Sequence, residues 1–226
     1  MLKKFFFNPW TKRSLFVICL IPAGILVWRG FTARLGANPV EFIEHATGDW
    51  AIRFLLITLA VTPLRKIFHQ PQLARFRRML GLFAFFYTVV HLMMYLTFDQ
   101  MFDVKAIFAD VAKRLYIMAG TAGLLLMIPL AITSTAGWVR RLGFARWQRL
   151  HRLVYFSAAA GTIHYYWLVK SDIRLPLMYM TILALLLIRR IPLWMKAYKP
   201  KKQAVRRESS AVGPVGKAGP VGKAEG

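Results

Sequence analysis

The sequence predicts an all-α fold, a polytopic membrane bundle of six transmembrane helices. Three observations carry that prediction. Hydrophobic residues make up 57% of the 226 and the mean hydropathy is +0.45, a composition foreign to a water-soluble domain of this length. The apolar residues gather in six runs, each near the roughly 20 residues that cross a hydrocarbon core. The basic residues lie between those runs: 24 of the 32 Lys and Arg fall in residues 1–13, 65–78, 140–152 and 189–226.

The first run, 14–28, is short, and Trp28 beside Arg29 extends it by sitting at the interface. Lys3, Lys4, Lys12 and Arg13 precede it as they would in a secretory signal, but no convincing A-x-A site follows, so an uncleaved first helix is expected. The second run, 50–64, gains length in the same way from Trp50 and a snorkelling Arg53. Runs three and four cover 79–98 and 115–133. The fifth, 150–169, contains the small-residue series Ser157, Ala158, Ala159, Ala160 and Gly161, and the sixth covers 175–190.

Acids show the opposite bias to the bases. Glu41, Glu44, Asp49, Asp99, Asp103, Asp110 and Asp172 lie in the alternate connections or at helix ends, leaving Glu208 and Glu225 on the basic side. By the positive-inside rule both termini are cytoplasmic. The organisation expected is a cytoplasmic N-terminus at 1–13, a membrane domain at 14–198 and a disordered basic tail at 199–226. That tail mixes Lys, Arg, Gly, Pro and Ser and ends in a tandem GPVGKA, so it builds no core and lies along the membrane surface. A net charge of +23 would ordinarily invite nucleic acid, but bases clustered at helix ends point to membrane lipid as the partner and to no nucleic acid.

Cys19 is the single cysteine, which excludes iron–sulfur clusters, Cys-rich zinc sites, covalent C-x-x-C-H haem attachment and internal disulfides. No phosphate-binding glycine loop or dinucleotide fingerprint is present. If the chain handles electrons, another protein deals with NAD(P)H.

Of the five histidines, His45 and His69 fall in expected connections and read as ordinary exposed residues. His91 lies inside the third helix, His164 inside the fifth and His151 at the cytoplasmic start of the fifth. An ionisable group inside a span is costly enough to mark a functional site. Counted from the inner ends at about 1.5 Å per residue, His91 and His164 lie roughly 18 and 21 Å up, at matching depth. Two neutral imidazoles facing each other from adjacent helices make an axial pair for a low-spin b-type haem (heme b). The competing reading is a set of interhelical hydrogen bonds. With almost no acid in any span to relay protons, haem is preferred over proton transport. The small-residue series either makes room for a porphyrin or lets helices approach closely. Tyr87, Tyr95, Tyr165, Tyr166 and Trp167 likewise either line a cofactor or pack as ordinary membrane aromatics.

The segments RRMLGLFAFFYTVVHLMMY (77–95) and WQRLHRLVYFSAAAGTIHYYW (147–167) resemble the paired signature of the ferric-reductase-like transmembrane domain. The span from about 10 to 198, with no flavin or nucleotide domain attached, is similar to the haem-binding membrane subunits (MsrQ or YedZ type) of bacterial periplasmic methionine sulfoxide reductase systems. The resemblance implies a multi-pass inner-membrane cytochrome that passes electrons to a periplasmic molybdopterin-containing reductase repairing methionine sulfoxide in proteins. It implies a donor that is the quinone pool or a cytoplasmic flavin reductase, with FMN as an alternative cofactor. The sulfoxide chemistry would then lie on the partner, since this chain offers no catalytic pocket for it. His91, His151 and His164 fall on the family's haem-associated positions. Larger relatives carry two histidines on each of the two helices, whereas Arg77 stands fourteen residues before His91 here, so one haem is expected and a second stays open. A quinol-oxidising cytochrome b anchor or a ferric reductase serving another acceptor is the alternative.

His151 lies roughly 20 Å below His164 along an ideal helix, so one haem cannot be held between them. Arg77, Arg78, Arg149 and Arg152 are expected around it at the cytoplasmic ends of the third and fifth helices, a group suited to haem propionates or a flavin phosphate. An inner electron-input site using His151 is therefore expected, either a second haem lacking one usual ligand or a bound FMN. The topology has its own test: reporter fusions after residues 70, 105, 145, 172 and 226 should alternate inside, outside, inside, outside, inside. A periplasmic report at residue 226 would overturn it.

Overall fold

Asparagine followed by proline opens the first two long helices. The computed structural model describes residues 8–190; the first seven residues, the end of the expected membrane domain and the tail expected at 199–226 lie outside the described residues. Asn8 accepts from the Trp10 amide at 3.0 Å and starts α1, Pro9–Phe31; Asn38 accepts from the Glu41 amide at 3.3 Å and starts α2, Pro39–Ile67. Each cap satisfies an orphan N–H, and proline at the first turn needs no partner. α2 therefore begins well before the apolar run at 50. Glu41, Glu44, His45 and Asp49 sit on its first turns and not in a connection, because a capped helix can start on polar residues that hydropathy skips.

A 3-10 turn at Pro71–Leu73 leads into α3, Ala74–Met94, which continues through a π-helical turn at Tyr95–Asp99. The expected outer connection contains a short helix, α4, Val104–Lys113, capped by Asp103. α5 is Leu115–Ile132. The basic segment 140–152 is also helical: α6, Ala136–Leu142, and α7, Phe144–Leu150, are broken at Gly143, whose φ of +74° suits glycine. The chain turns at His151 and Arg152, where the Arg152 amide bonds the Arg149 carbonyl at 3.1 Å. The fifth expected helix is thus two pieces, and α8 proper is Leu153–Leu168. α9 is Arg174–Ile188, closing a compact unit.

Among the described residues three helical stretches are long and apolar enough to cross a membrane: Trp10–Phe31, Pro71–Asp99 and Leu115–Ile132. The other three expected spans meet that standard only in part. α2 is long but carries Asp49 and Arg53, and α8 and α9 have 16 and 15 residues.

The most extensive packing pairs α2 with α3 and α5 with α8; α1 lies against α2 and α3, and α9 against α8 and α2. Phe54 stacks on Tyr87 at 5.3 Å between ring centroids, and Phe16 meets Phe83 at 5.1 Å. Phe16, Val17, Ile18 and Ile21 of α1 and Leu125 and Ile132 of α5 remain exposed, as a lipid-facing surface requires.

Tyr87 is fully buried, yet its hydroxyl is satisfied by the backbone of α1. It donates to the Cys19 carbonyl at 2.9 Å and accepts from the Ala23 amide at 3.1 Å, inserting into the rung beside Pro22. Proline already removes one rung there, and the hydroxyl bridges the next. Tyr87→Phe should destabilise the protein by about 1–2 kcal/mol, the usual scale of a membrane interhelical hydrogen bond, measured as unfolding in detergent. Unchanged stability would show that α1 closes this rung by itself.

Candidate functional site

The two imidazoles expected at matching depth meet. The rings of His91 on α3 and His164 on α8 lie 6.0 Å apart between centroids, with planes inclined at 76°. Each is tied to the backbone of the helix behind it. His91 Nδ1–H donates to the Glu44 carbonyl on α2 at 3.0 Å, and His164 Nδ1–H donates to the Tyr116 carbonyl on α5 at 2.7 Å. A carbonyl can only accept, so both protons sit on Nδ1 and both Nε2 atoms keep their lone pairs.

Both rings line one cavity of about 220 Å³, whose walls include Ile52, Thr88, Gly123, Met127, Ser157 and Gly161. Its small residues both join helices and border open space. Ser157 donates to the Gly123 carbonyl at 2.8 Å, closing α8 onto α5, while Ser157 and Gly161 also face the open space.

The donor set fits a haem. Two neutral imidazoles 6.0 Å apart between ring centroids, each with its Nδ1 tied to a carbonyl and Nε2 unspent, are the donor type that haem iron takes. Among the described residues no group of three His, Cys, Asp or Glu gathers to hold a bare metal ion. A haem brings nitrogens of its own and needs few from the protein; His91 and His164 would hold it, and it would supply a reversible one-electron couple.

Polar groups frame the cavity. Asp49 and Tyr165 stand on its wall; behind them Arg53 pairs with Asp49 at 3.1 Å and donates to the Tyr179 hydroxyl at 2.9 Å. At one end Glu44, His45, Tyr95, Asp99, Arg114 and Tyr116 line it. Asp110 organises that end, accepting from Tyr95 at 2.9 Å and Gln100 at 3.0 Å and pairing with Arg114 at 2.9 Å. The hydrogen bond to Tyr116 and the charge of Asp110 hold Arg114 protonated above its ordinary range.

His151 belongs to a different environment. Its ring lies 4.1 Å from that of Trp147, and its Nε2 is 3.1 Å from the Thr133 hydroxyl. That hydroxyl spends its proton on the Pro129 carbonyl at 2.6 Å, so it must accept from His151 Nε2–H. Trp147 fastens the group by donating to the Thr133 carbonyl at 2.9 Å. With Nε2 engaged, His151 does not present the lone pair that His91 and His164 present. Of the four arginines expected around it, Arg77 on α3 is half-buried and interacts with His151 electrostatically, whereas Arg78, Arg149 and Arg152 are exposed.

Residues 47–162 match the model of the ferric reductase like transmembrane component, the stretch that runs from the first turns of α2 through most of α8. Beyond that, the chain is 49% identical over 196 residues to the protein-methionine-sulfoxide reductase heme-binding subunit MsrQ of Herminiimonas arsenicoxydans, covering 86% of this chain and 89% of the relative. The chain belongs to the MsrQ family. The protein of the same name from Xanthomonas euvesicatoria pv. vesicatoria is 55% identical over 183 residues, 81% of this chain and 82% of that one. The MsrQ of Rhodospirillum rubrum is 48% identical over 205 residues, 89% and 92% of the two chains.

Several site residues were not legible in the MsrQ sequence read alone. Glu44 and Tyr116 act through backbone carbonyls, which no side-chain pattern announces. His45 was read as a connection residue and lines the cavity from α2. Thr133 and Trp147 hold His151 from segments read as a helix end and a basic connection. A usable signal existed for Asp49 and Arg53, an i, i+4 acid–base pair beside an apolar run.

Proposed function

We propose that this chain is a six-span inner-membrane electron-transfer subunit holding one b-type haem between His91 and His164. The observation that carries this reading is the pair of imidazoles 6.0 Å apart, each with its proton held on Nδ1 by a carbonyl and its Nε2 free on the shared cavity. Bound there, haem supplies a reversible one-electron couple inside the hydrocarbon layer. The chain's own part is to fix both rings, line the cavity with apolar and small residues, and keep the polar groups at its rim paired. The relatives' name, heme-binding subunit of protein-methionine-sulfoxide reductase, supports delivery to a periplasmic molybdopterin reductase that repairs oxidised methionine.

Electrons enter from the cytoplasmic side in this reading, from the quinone pool or a separate flavin reductase. His151, Trp147 and Arg77 form the inner station. They are one cluster of paired rings and charge at the far end of the α7–α8 segment from His164.

In purified protein, His91→Ala and His164→Ala should each abolish the low-spin b-type absorption while the chain still inserts. A wild-type spectrum in both would reject the pairing. His151→Ala should keep that spectrum but slow its reduction by membrane quinol or flavin reductase severalfold, followed by stopped-flow absorbance. Undisturbed reduction would make His151 a structural residue only. In a strain lacking this gene, periplasmic methionine sulfoxide reduction should lose its physiological electron supply, while the isolated reductase still turns over with an artificial donor. Unchanged repair would count against the assignment.

A further inference from the structure

The two imidazoles share more than a cavity. Each reaches its carbonyl over a glycine placed four residues later on the same helix: Glu44 is followed by Gly48 on α2, and Tyr116 by Gly120 on α5. In a helix every Cα–Cβ bond tilts toward the N-terminus, so the side chain at i+4 lies over the turn that carries the carbonyl of residue i. A Cβ built on Gly120 would come 2.8 Å from His164 Nδ1 and 3.2 Å from its Cε1 and Cγ. One built on Gly48 would come 3.4 Å from His91 Nδ1 and Cε1.

Neither glycine is there for backbone freedom. The glycines with positive φ are Gly36 and Gly143, whereas Gly48 and Gly120 lie within helices. An interior glycine costs a helix about 1 kcal/mol relative to alanine, so its presence twice in the same relation to a histidine needs a packing reason. Gly24 and Gly161 have nothing within 4 Å of a built Cβ, and Gly123, on the same helix as Gly120, would meet Ala160 Cβ at 3.4 Å and no histidine.

We infer that Gly48 and Gly120 are positioning residues for the two imidazoles. Each leaves a notch one ring wide through which Nδ1–H reaches a helical carbonyl, and so sets the tautomer and rotation of the ring. The strength of that hydrogen bond governs the basicity of Nε2 as a ligand, and a more basic axial ligand favours the oxidised metal. A methyl group at Gly120 lifts His164 from Tyr116, weakens the bond and makes reduction easier. The effect is smaller at Gly48, where the approach is looser. This inference rests on the haem reading only for its redox consequence; the notches themselves are a property of the polypeptide.

The test uses the full-length holoprotein, with optical redox titration and low-temperature EPR. Gly120→Ala should shift the midpoint potential positively and alter the low-spin signal, or empty the site. Gly48→Ala should shift the midpoint in the same direction by less, and Gly24→Ala, on α1 away from the cavity, should behave as wild type. A wild-type midpoint and signal in Gly120→Ala, or an equal change in Gly24→Ala, would overturn the inference. Should Gly120→Ala fail to accumulate in the membrane, Gly48→Val decides on the same readouts. If the wild type itself carries no haem, the functional reading fails and the inference is judged by 15N NMR of labelled histidine. His164 should then be the Nδ1–H tautomer in wild type and lose that state in Gly120→Ala; identical spectra would sink it.

Discussion

In hydrocarbon every N–H needs an acceptor, and that requirement organises this protein around two bonds, His91 to the Glu44 carbonyl and His164 to the Tyr116 carbonyl. A helical carbonyl has a second lone pair to offer after its own ladder bond, and a neighbouring imidazole can use it without opening the helix. Each bond joins the two members of a closely packed pair, α3 to α2 and α8 to α5. The histidines thereby become part of the helix interfaces as well as of the cavity, and the site cannot change without changing those interfaces.

The same requirement explains the other polar groups inside the bundle. Tyr87 closes an open rung of α1, Ser157 closes α8 onto Gly123, and Arg53 bridges Asp49 on its own helix to Tyr179 on α9. α9 is a short helix resting on α8 and α2, so a charged hydrogen bond to Tyr179 is a large share of what fixes it. Asp110 does the corresponding work at the cavity rim, where one carboxylate gathers Tyr95 of the π-helical turn, Gln100 just after it and Arg114 just before α5. A group with several donors around one acid holds a geometry that a single pair would let slip.

Hydropathy and helix do not coincide along the described residues. α2 carries Asp49 and Arg53 beside its apolar run, and the two neutralise each other in place. α8 is short because the chain turns at His151, a break that apolar composition does not register. Conversely, α4, α6 and α7 occupy segments that read as connections, since their helicity rests on caps such as Asp103 and Thr135 and not on a long apolar run.

The sequence by itself determined the membrane class, the helical fold and the approach of His91 to His164. Each of these depends on residue identity and on a helical rise that is the same in every protein. The tertiary structure decided how the imidazoles are used. Whether a ring nitrogen is free or spent depends on a partner distant in sequence: Glu44, 47 residues from His91; Tyr116, 48 from His164; Thr133, 18 from His151. Two of those three partners are backbone carbonyls, which every residue carries, so only the packing of one helix on another could select them.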